Sequence, residues 1–297
     1  MIVNAASLRD LFTGFNTSFN KGFGRAPSHW EKVAMKITST GAAENYSWLT
    51  DFPGIREWIG DRVVNDLSAA RYVIENRDFE LTVAVKRNNI EDDKYGIYAK
   101  PFENMGFETA MHPDDLVFSL LKKGETTVCY DNQYFFDTDH PNYNEDGGTI
   151  SVSNLTAGDG PAWYMVDGSK PLMPMVYQER QPFVFESLTD NSSEHVFFKA
   201  QYVYGTRGRS NAGFGLWQTA YCSKAELNTA NFTAAKTAMA GYRRPSGKPL
   251  GIAPTHMIVP PALEEKARQL LNATLINGGE SNVWANSVDL VVSPFLG

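Results

Sequence analysis

The stretch from Asp78 to Lys123 constrains this chain more than any other. It opens with Phe79, Leu81, Val83 and Val85 alternating with Glu80, Thr82, Ala84 and Lys86, the period of two expected of a half-buried strand. A polar turn, Arg87-Asn88-Asn89, leads to the acidic run Glu91-Asp92-Asp93, which suits the positive end of a helix dipole. Beyond it Tyr98, Phe102, Met105, Ala110, Leu116, Val117, Leu120 and Leu121 share one broad helical face. Pro101 fits a first turn, whereas Pro113 is expected to kink the helix or restart it, with Asp114 and Asp115 in the new first turn. Lys122-Lys123-Gly124 is a stop signal. Such a helix is about 40 Å long at roughly 1.5 Å per residue. That length makes it a spine on which other elements hang, and its face of Phe102, Met105, Leu116, Leu120 and Leu121 is predicted to pack under strands lying between Val176 and Tyr221.

The chain before the spine has no core of its own. Phe12, Phe15, Phe19 and Phe23 punctuate a Gly-, Asn-, Ser- and Thr-rich segment. Ser7 is placed to cap a short helix ending at Leu11, and Ser28, with Glu31, a second from His29 to about Met35. The pattern fits either an arm that docks on other surfaces or a segment wrapped on its own domain. Residues from Arg62 to Lys86 read as strands of a charged hairpin with little apolar surface, which needs a partner surface to be stable. After the spine, Ala162–Val166, Val176–Glu186, His195–Tyr204 and Leu216–Tyr221 read as antiparallel strands. From about Ala225, helices at Phe232–Tyr242 and Leu263–Ala273 alternate with strands at Thr255–Val259 and Val288–Val292, a small α/β layer unit. The fold class is therefore α+β.

Composition excludes several function classes. With 42% hydrophobic and 12% aromatic residues the chain is globular. A net charge of -7 argues against general affinity for nucleic-acid phosphates. No apolar run reaches membrane-spanning length, and the N-terminus lacks the features of a secretion signal. Cys129 and Cys222 are expected to be free, buried thiols. Asp137, Asp139 and His140 are ligand types at short spacing and the one candidate for a metal-dependent enzyme, but no second cluster completes a shell, so a structural loop without metal or cofactor is expected. His29, His112, His195 and His256 are isolated, no phosphate loop or nucleophile elbow appears, and Arg207 and Arg209 beside Asn211 read as a surface ion-pair cluster.

Several stretches, in order, resemble one family. They are SHWEKVAM (28–35), DFPGIREWIG (51–60), the run from Asn89 to Met105, YDNQYFFDTDHP (130–141), YQER (177–180), AGFGLWQ (212–218) and LGIAPTHMIVPPALE (250–264). Each is weak alone; as an ordered series covering nearly the whole chain they are similar to the major head subunit of Mu-like phages and prophages. The resemblance implies the Hong Kong 97-type capsid fold, with an N-terminal arm (1–50), an extended hairpin loop (51–87), a peripheral domain with the spine helix and long strands (88–224) and an axial domain (225–297). Here the strands Trp163 to Tyr221 precede the axial segment, which implies a permuted arrangement. It further implies a non-enzymatic shell protein that forms hexamers and pentamers around double-stranded DNA without sequence-specific binding. The same resemblance implies scaffold, portal and decoration partners, assembly in the bacterial host cytoplasm and residence in the virion, with no membrane or cofactor. A tail or decoration protein is the structural alternative. Phe12, Phe15, Phe19, Trp58, Arg62, Arg71 and Tyr72 are the candidate inter-subunit contacts.

Overall fold

The computed structural model describes residues 4–49, 72–92, 94–276 and 279–297. The first element begins with a reciprocal cap: Asn4 Oδ1 accepts the N–H groups of Ala6 (3.0 Å) and Ser7 (2.9 Å), and Ser7 Oγ accepts that of Asn4 (2.9 Å). From it runs α1 (Ala5–Phe23), a single helix of 19 residues instead of the short one expected to end at Leu11. Its apolar stripe, Leu8, Leu11, Phe15 and Phe19, carries it through a composition poor in helix formers. The second expected helix is also corrected. After one turn at Trp30–Lys32 the chain becomes β1 (Ala34–Thr38), and Ser28 donates to Asp114 (2.7 Å) instead of capping.

There follow β2 (Ala43–Asn45), β3 (Val73–Glu75), β4 (Arg77–Lys86), the turn α2 (Arg87–Glu91) and the spine α3 (Ala99–Lys122). At 24 residues the spine spans about 36 Å. It runs through Pro113 without restarting, and the expected new first turn is absent. Asp114 is instead buried, its carboxylate accepting the backbone N–H groups of His29 (3.0 and 2.9 Å) and Trp30 (2.9 Å). That arrangement ties the loop after α1 to the middle of the spine. On the spine's C-terminal half Val117, Phe118 and Leu121 are fully buried, whereas Leu116 and Leu120 are only partly so.

The rest of the chain comprises β5 (His140–Tyr143), β6 (Thr149–Val152), β7 (Leu155–Thr156), β8 (Trp163–Val166), β9 (Met175–Leu188), α4 (Glu194–Lys199), β10 (Gln201–Phe214) and β11 (Ala220–Ser223). Last come α5 (Thr229–Ala240), β12 (His256–Val259), α6 (Glu264–Asn272), β13 (Leu275–Ile276), β14 (Glu280–Ser281) and β15 (Asp289–Val292). The strand expected from His195 is corrected over its first half, where Ser193 caps α4: the Val196 N–H donates to Ser193 Oγ (3.4 Å).

Two main sheets organise the described residues. The first has the order β1-β9-β10-β4, with β1 parallel to β9 and the other pairs antiparallel. Its register sets Tyr202 opposite Val85, Tyr204 opposite Val83 and Thr206 opposite Phe185. That face closes on α1 and α3, where Phe15 stacks on Phe102 with centroids 4.4 Å apart and Phe102 meets Tyr204 edge-on at 5.3 Å. The second sheet has the order β15-β12-β8-β11-β7 and is covered by α5 and α6 through Phe232, Met239, Ala267 and Leu271. The boundaries expected at 50 and 225 do not divide these sheets. β1 lies in the long-strand sheet, and β7, β8 and β11 join the small one, because the chain crosses between sheets on either side of the β9–β10 hairpin.

Two helices touch backbone to backbone where α1 crosses α3. A Cβ at Gly106 would overlap the Phe19 carbonyl oxygen and lie 2.8 Å from its carbonyl carbon; one at Gly22 would overlap the Glu103 carbonyl. Only glycine on both helices permits this crossing.

Candidate assembly surfaces

The β9–β10 hairpin ends in a built tip. Val196 is buried in the cluster of α1, α3 and the long sheet and anchors α4. Ser193 closes the helix at one end. At the other, Ala200 adopts the left-handed conformation (φ 47°, ψ 45°), and its carbonyl accepts the Arg87 N–H at 2.9 Å. Between these fixed points Phe197 and Phe198 are each 75% exposed, their rings 5.2 Å apart and perpendicular. Two adjacent exposed Phe side chains on an ordered turn are unusual for a soluble surface. Beside the tip, a cavity of about 770 Å³ opens between the first turns of α1 and the end of β9, with Leu8, Phe12 and Phe185 at its floor and Arg9 and Asp190 at its rim.

The long sheet presents a second surface. Its face away from the helices carries Val184, Glu186 and Leu188 from β9 beside Val203 and Arg207 from β10 and Glu80 from β4. Val184 and Leu188 are exposed. At one end of that face Arg207 and Arg209 converge on Asp78 at 2.6 and 3.6 Å, an ion-pair cluster as the sequence suggested. β4 forms the sheet's edge, and among the described residues no strand pairs with its outer side.

The candidate contact residues separate into three groups. Phe15 and Phe19 are corrected: at 4% and 3% exposure they are buried against their own spine and sheet, so they face the protomer's interior. The segment 4–23 is thus wrapped on its own chain, the alternative its pattern left open. Phe12 is half-buried, stacked on Phe185 at 5.5 Å with one side on the cavity. Tyr72 is largely enclosed; its hydroxyl accepts the Phe214 N–H at 2.8 Å, and burial pushes its pKa up to about 12. Trp58, Arg62 and Arg71 lie outside the described residues.

The loop of Asp137, Asp139 and His140 does not converge on a point. His140 is buried and stacked on Trp217 at 4.1 Å; its Nδ1 lies 2.8 Å from Asp131 and its Nε2 3.3 Å from the Phe135 carbonyl. Asp137 accepts the N–H of Thr138 at 2.7 Å, and Asp139 is exposed. Asp131 also accepts from Cys129 Sγ at 3.0 Å. Of this Cys–Asp–His set Cys129 and His140 are buried and Asp131 is partly so, and burial raises the thiol pKa of Cys129, which disfavours the reactive thiolate. Cys222 is likewise free and buried.

The architecture is a long strand hairpin on a spine helix with a small α/β layer beside it, and it can be compared with known proteins. The family described as the Mu-like prophage major head subunit gpT matches residues 8–296. The chain belongs to that family. It is 38% identical to the major capsid protein of Escherichia phage Mu, over all of both chains. It is 41% identical to the Mu-like prophage FluMu major head subunit of Haemophilus influenzae, over 90% of this chain and 89% of that one. Among solved structures, the procapsid of bacteriophage JBD30 matches with a TM-score of 0.88 at 42% identity, covering 99% of this chain and 100% of that one. The JBD30 capsid matches with a TM-score of 0.79 at 32% identity, covering 100% of each chain. A JBD30 capsid decorated with minor capsid protein trimers matches at 0.76 and 32%, covering 93% of each.

A head subunit of this family is a structural protein of the phage virion with the Hong Kong 97-type fold, and its relatives are shell proteins, not enzymes. The functional surface is therefore one that meets copies of itself. Sequence reasoning missed the tip by extending a strand through it. The signal was present: Phe197 and Phe198 are adjacent and break the alternation, and Ser192-Ser193-Glu194 is a helix start.

Proposed function

We propose that this chain assembles through hexamers and pentamers into an icosahedral shell that encloses double-stranded DNA, built in the host cytoplasm with scaffold and portal proteins. The observation that carries this reading is the match to the JBD30 procapsid over the whole chain. The long sheet with α1 and α3 serves as the peripheral unit and the five-stranded sheet with α5 and α6 as the axial unit near each capsomer's centre. Trp58, Arg62 and Arg71 are the proposed contacts with neighbouring copies. Contacts between such copies are heterologous and close into rings. A net charge of -7 suits a wall that surrounds DNA without gripping it. Because a JBD30 capsid carries minor capsid protein trimers, a decorating protein is a further proposed partner.

The experiment is expression of the chain, with and without its candidate scaffold, followed by sedimentation and electron microscopy. Closed shells, or capsomers that close on adding scaffold, support the reading. A small oligomer that never closes under either condition overturns it.

A further inference from the structure

We propose that Phe197 and Phe198 at the hairpin tip of one copy insert into the cavity between α1 and β9 of a second copy, a head-to-tail contact that locks neighbouring protomers. The inference rests on the self-assembly reading and assigns it a specific contact. Several observations point to a second copy as the occupant.

The tip is preorganised for insertion. Val196 fixes α4 to the core, and the Ser193 and Ala200 caps hold the turn that presents both rings, so little ordering is lost when they are covered. The receiving cavity offers apolar walls of matching kind in Leu8, Phe12 and Phe185, and at about 770 Å³ it has room for two aromatic rings. The charges are complementary as well. The tip is flanked by exposed Glu194 and Lys199; the cavity rim carries exposed Arg9 on one wall and exposed Asp190 on the other. Seating the Phe pair lets Glu194 meet Arg9 while Lys199 meets Asp190. Finally, donor and acceptor lie at the same end of one sheet, on the two sides of the hairpin turn. A contact between two different patches is heterologous and builds a ring where its rotation closes, as a shell of identical subunits needs. The contact also explains why half-buried Phe12 is left with one face on the cavity.

Three arms test the proposal on the full chain. The double variant Phe197→Ser, Phe198→Ser should keep the melting temperature of the unassembled protomer, since both rings are exposed, while shell yield falls at least ten-fold. Arg9→Glu and Glu194→Arg should each lower yield, and the two together should restore it to within about two-fold. Phe198→Cys combined with Arg9→Cys should give oxidant-dependent chains of linked copies in assembled material, because both natural cysteines are buried. The contact is overturned if the Phe pair variant forms shells at wild-type yield, including the outcome in which those shells have lost only binding of a decorating protein. It is equally overturned if the charge swap fails to restore assembly. If the unsubstituted chain forms no shells in the same preparation, the assembly reading beneath it falls, and the contact with it.

Discussion

The crossing of α1 and α3 allows one substitution type to give opposite results at two helical positions. In Gly14→Ala nothing lies within 4 Å of the new Cβ, and the residue is exposed on α1. Only the backbone entropy of the unfolded chain changes, so stability should rise by about 0.5–1 kcal/mol. In Gly106→Ala the same entropy gain is opposed by a clash. The Cβ would overlap the Phe19 carbonyl oxygen and sit 2.8 Å from its carbonyl carbon and 2.9 Å from the Phe23 nitrogen, all of them backbone atoms that no rotamer change can move. Restoring ordinary contact requires α1 to retreat by roughly 0.6 Å or more, and a gap of about 0.5–1 Å forfeits a quarter to a half of the dispersion across it. The contacts at risk are those of Leu8, Leu11, Phe15 and Phe19, whose burial contributes about 1.5–3 kcal/mol each. A quarter of that sum exceeds the entropy gain, and Gly106→Ala should lower stability by about 1–3 kcal/mol net. Thermal unfolding of the unassembled protomer reads both signs, as a rise of about 2 °C for Gly14→Ala and a fall of about 2–6 °C for Gly106→Ala. Hydrogen exchange should localise the second effect to α1. If Gly106→Ala melts at or above the temperature of Gly14→Ala, the helices do not cross in backbone contact and the docked α1 is wrong.

Other expected outcomes follow from single contacts. Asp114→Ala should destabilise by about 2–4 kcal/mol in denaturant titration, because the N–H groups of His29 and Trp30 lose their acceptor in a buried place. Leu121→Ala should cost about 2–5 kcal/mol and lower soluble yield and shell number together, while Leu120→Ala, at a partly buried site, should cost clearly less in the same titration. Burial raises the Asp131 pKa, but the hydrogen bonds from His140 and Cys129 outweigh it and hold the carboxyl below its usual value. Its stabilising effect is therefore full above the unfolded pKa near 3.9 and lost as pH falls through the folded value, so Asp131→Asn should flatten the acid limb of the stability–pH curve below about pH 4. Arg71→Ala should leave the melting temperature unchanged and reduce assembly alone; a matching loss of melting temperature would refute its placement as a contact between copies.

What the sequence disclosed depended on whether the signal was local. The alternation of Phe79 to Val85 and the broad face from Phe102 to Leu121 are short-range patterns, and β4 and α3 lie where those patterns predict. The segment Ala34–Thr38 becomes a strand only because β9 offers it a parallel partner far along the chain, a tertiary override of the local capping signal at Ser28. Pro113 illustrates the same limit. It removes one helix N–H, yet the spine continues because Val117, Phe118 and Leu121 are held in the core and Asp114 is held by the loop at His29 and Trp30. The glycine crossing was invisible for another reason: Gly22 and Gly106 look like helix defects singly, and their purpose exists only as a pair.

The docked α1 also changes how the assembly surface must be understood. A free arm with four Phe residues would carry its own adhesive patch, and its contacts would form wherever a neighbour came near. Here Phe15 and Phe19 are consumed within the protomer, and α1 instead builds one wall of a cavity whose other wall is β9. Among the described residues, the exposed apolar surface then includes the Phe197–Phe198 tip, beside the cavity, and Val184 and Leu188 on the outer face of the long sheet. Shape matters for a subunit that meets many copies, because a shaped donor and acceptor select one geometry where a flat adhesive surface does not. It also couples folding to assembly. The acceptor cavity exists only when α1 is seated on the spine, so a substitution that loosens that seat, such as Gly106→Ala, should weaken shell formation even in protomers that remain otherwise folded.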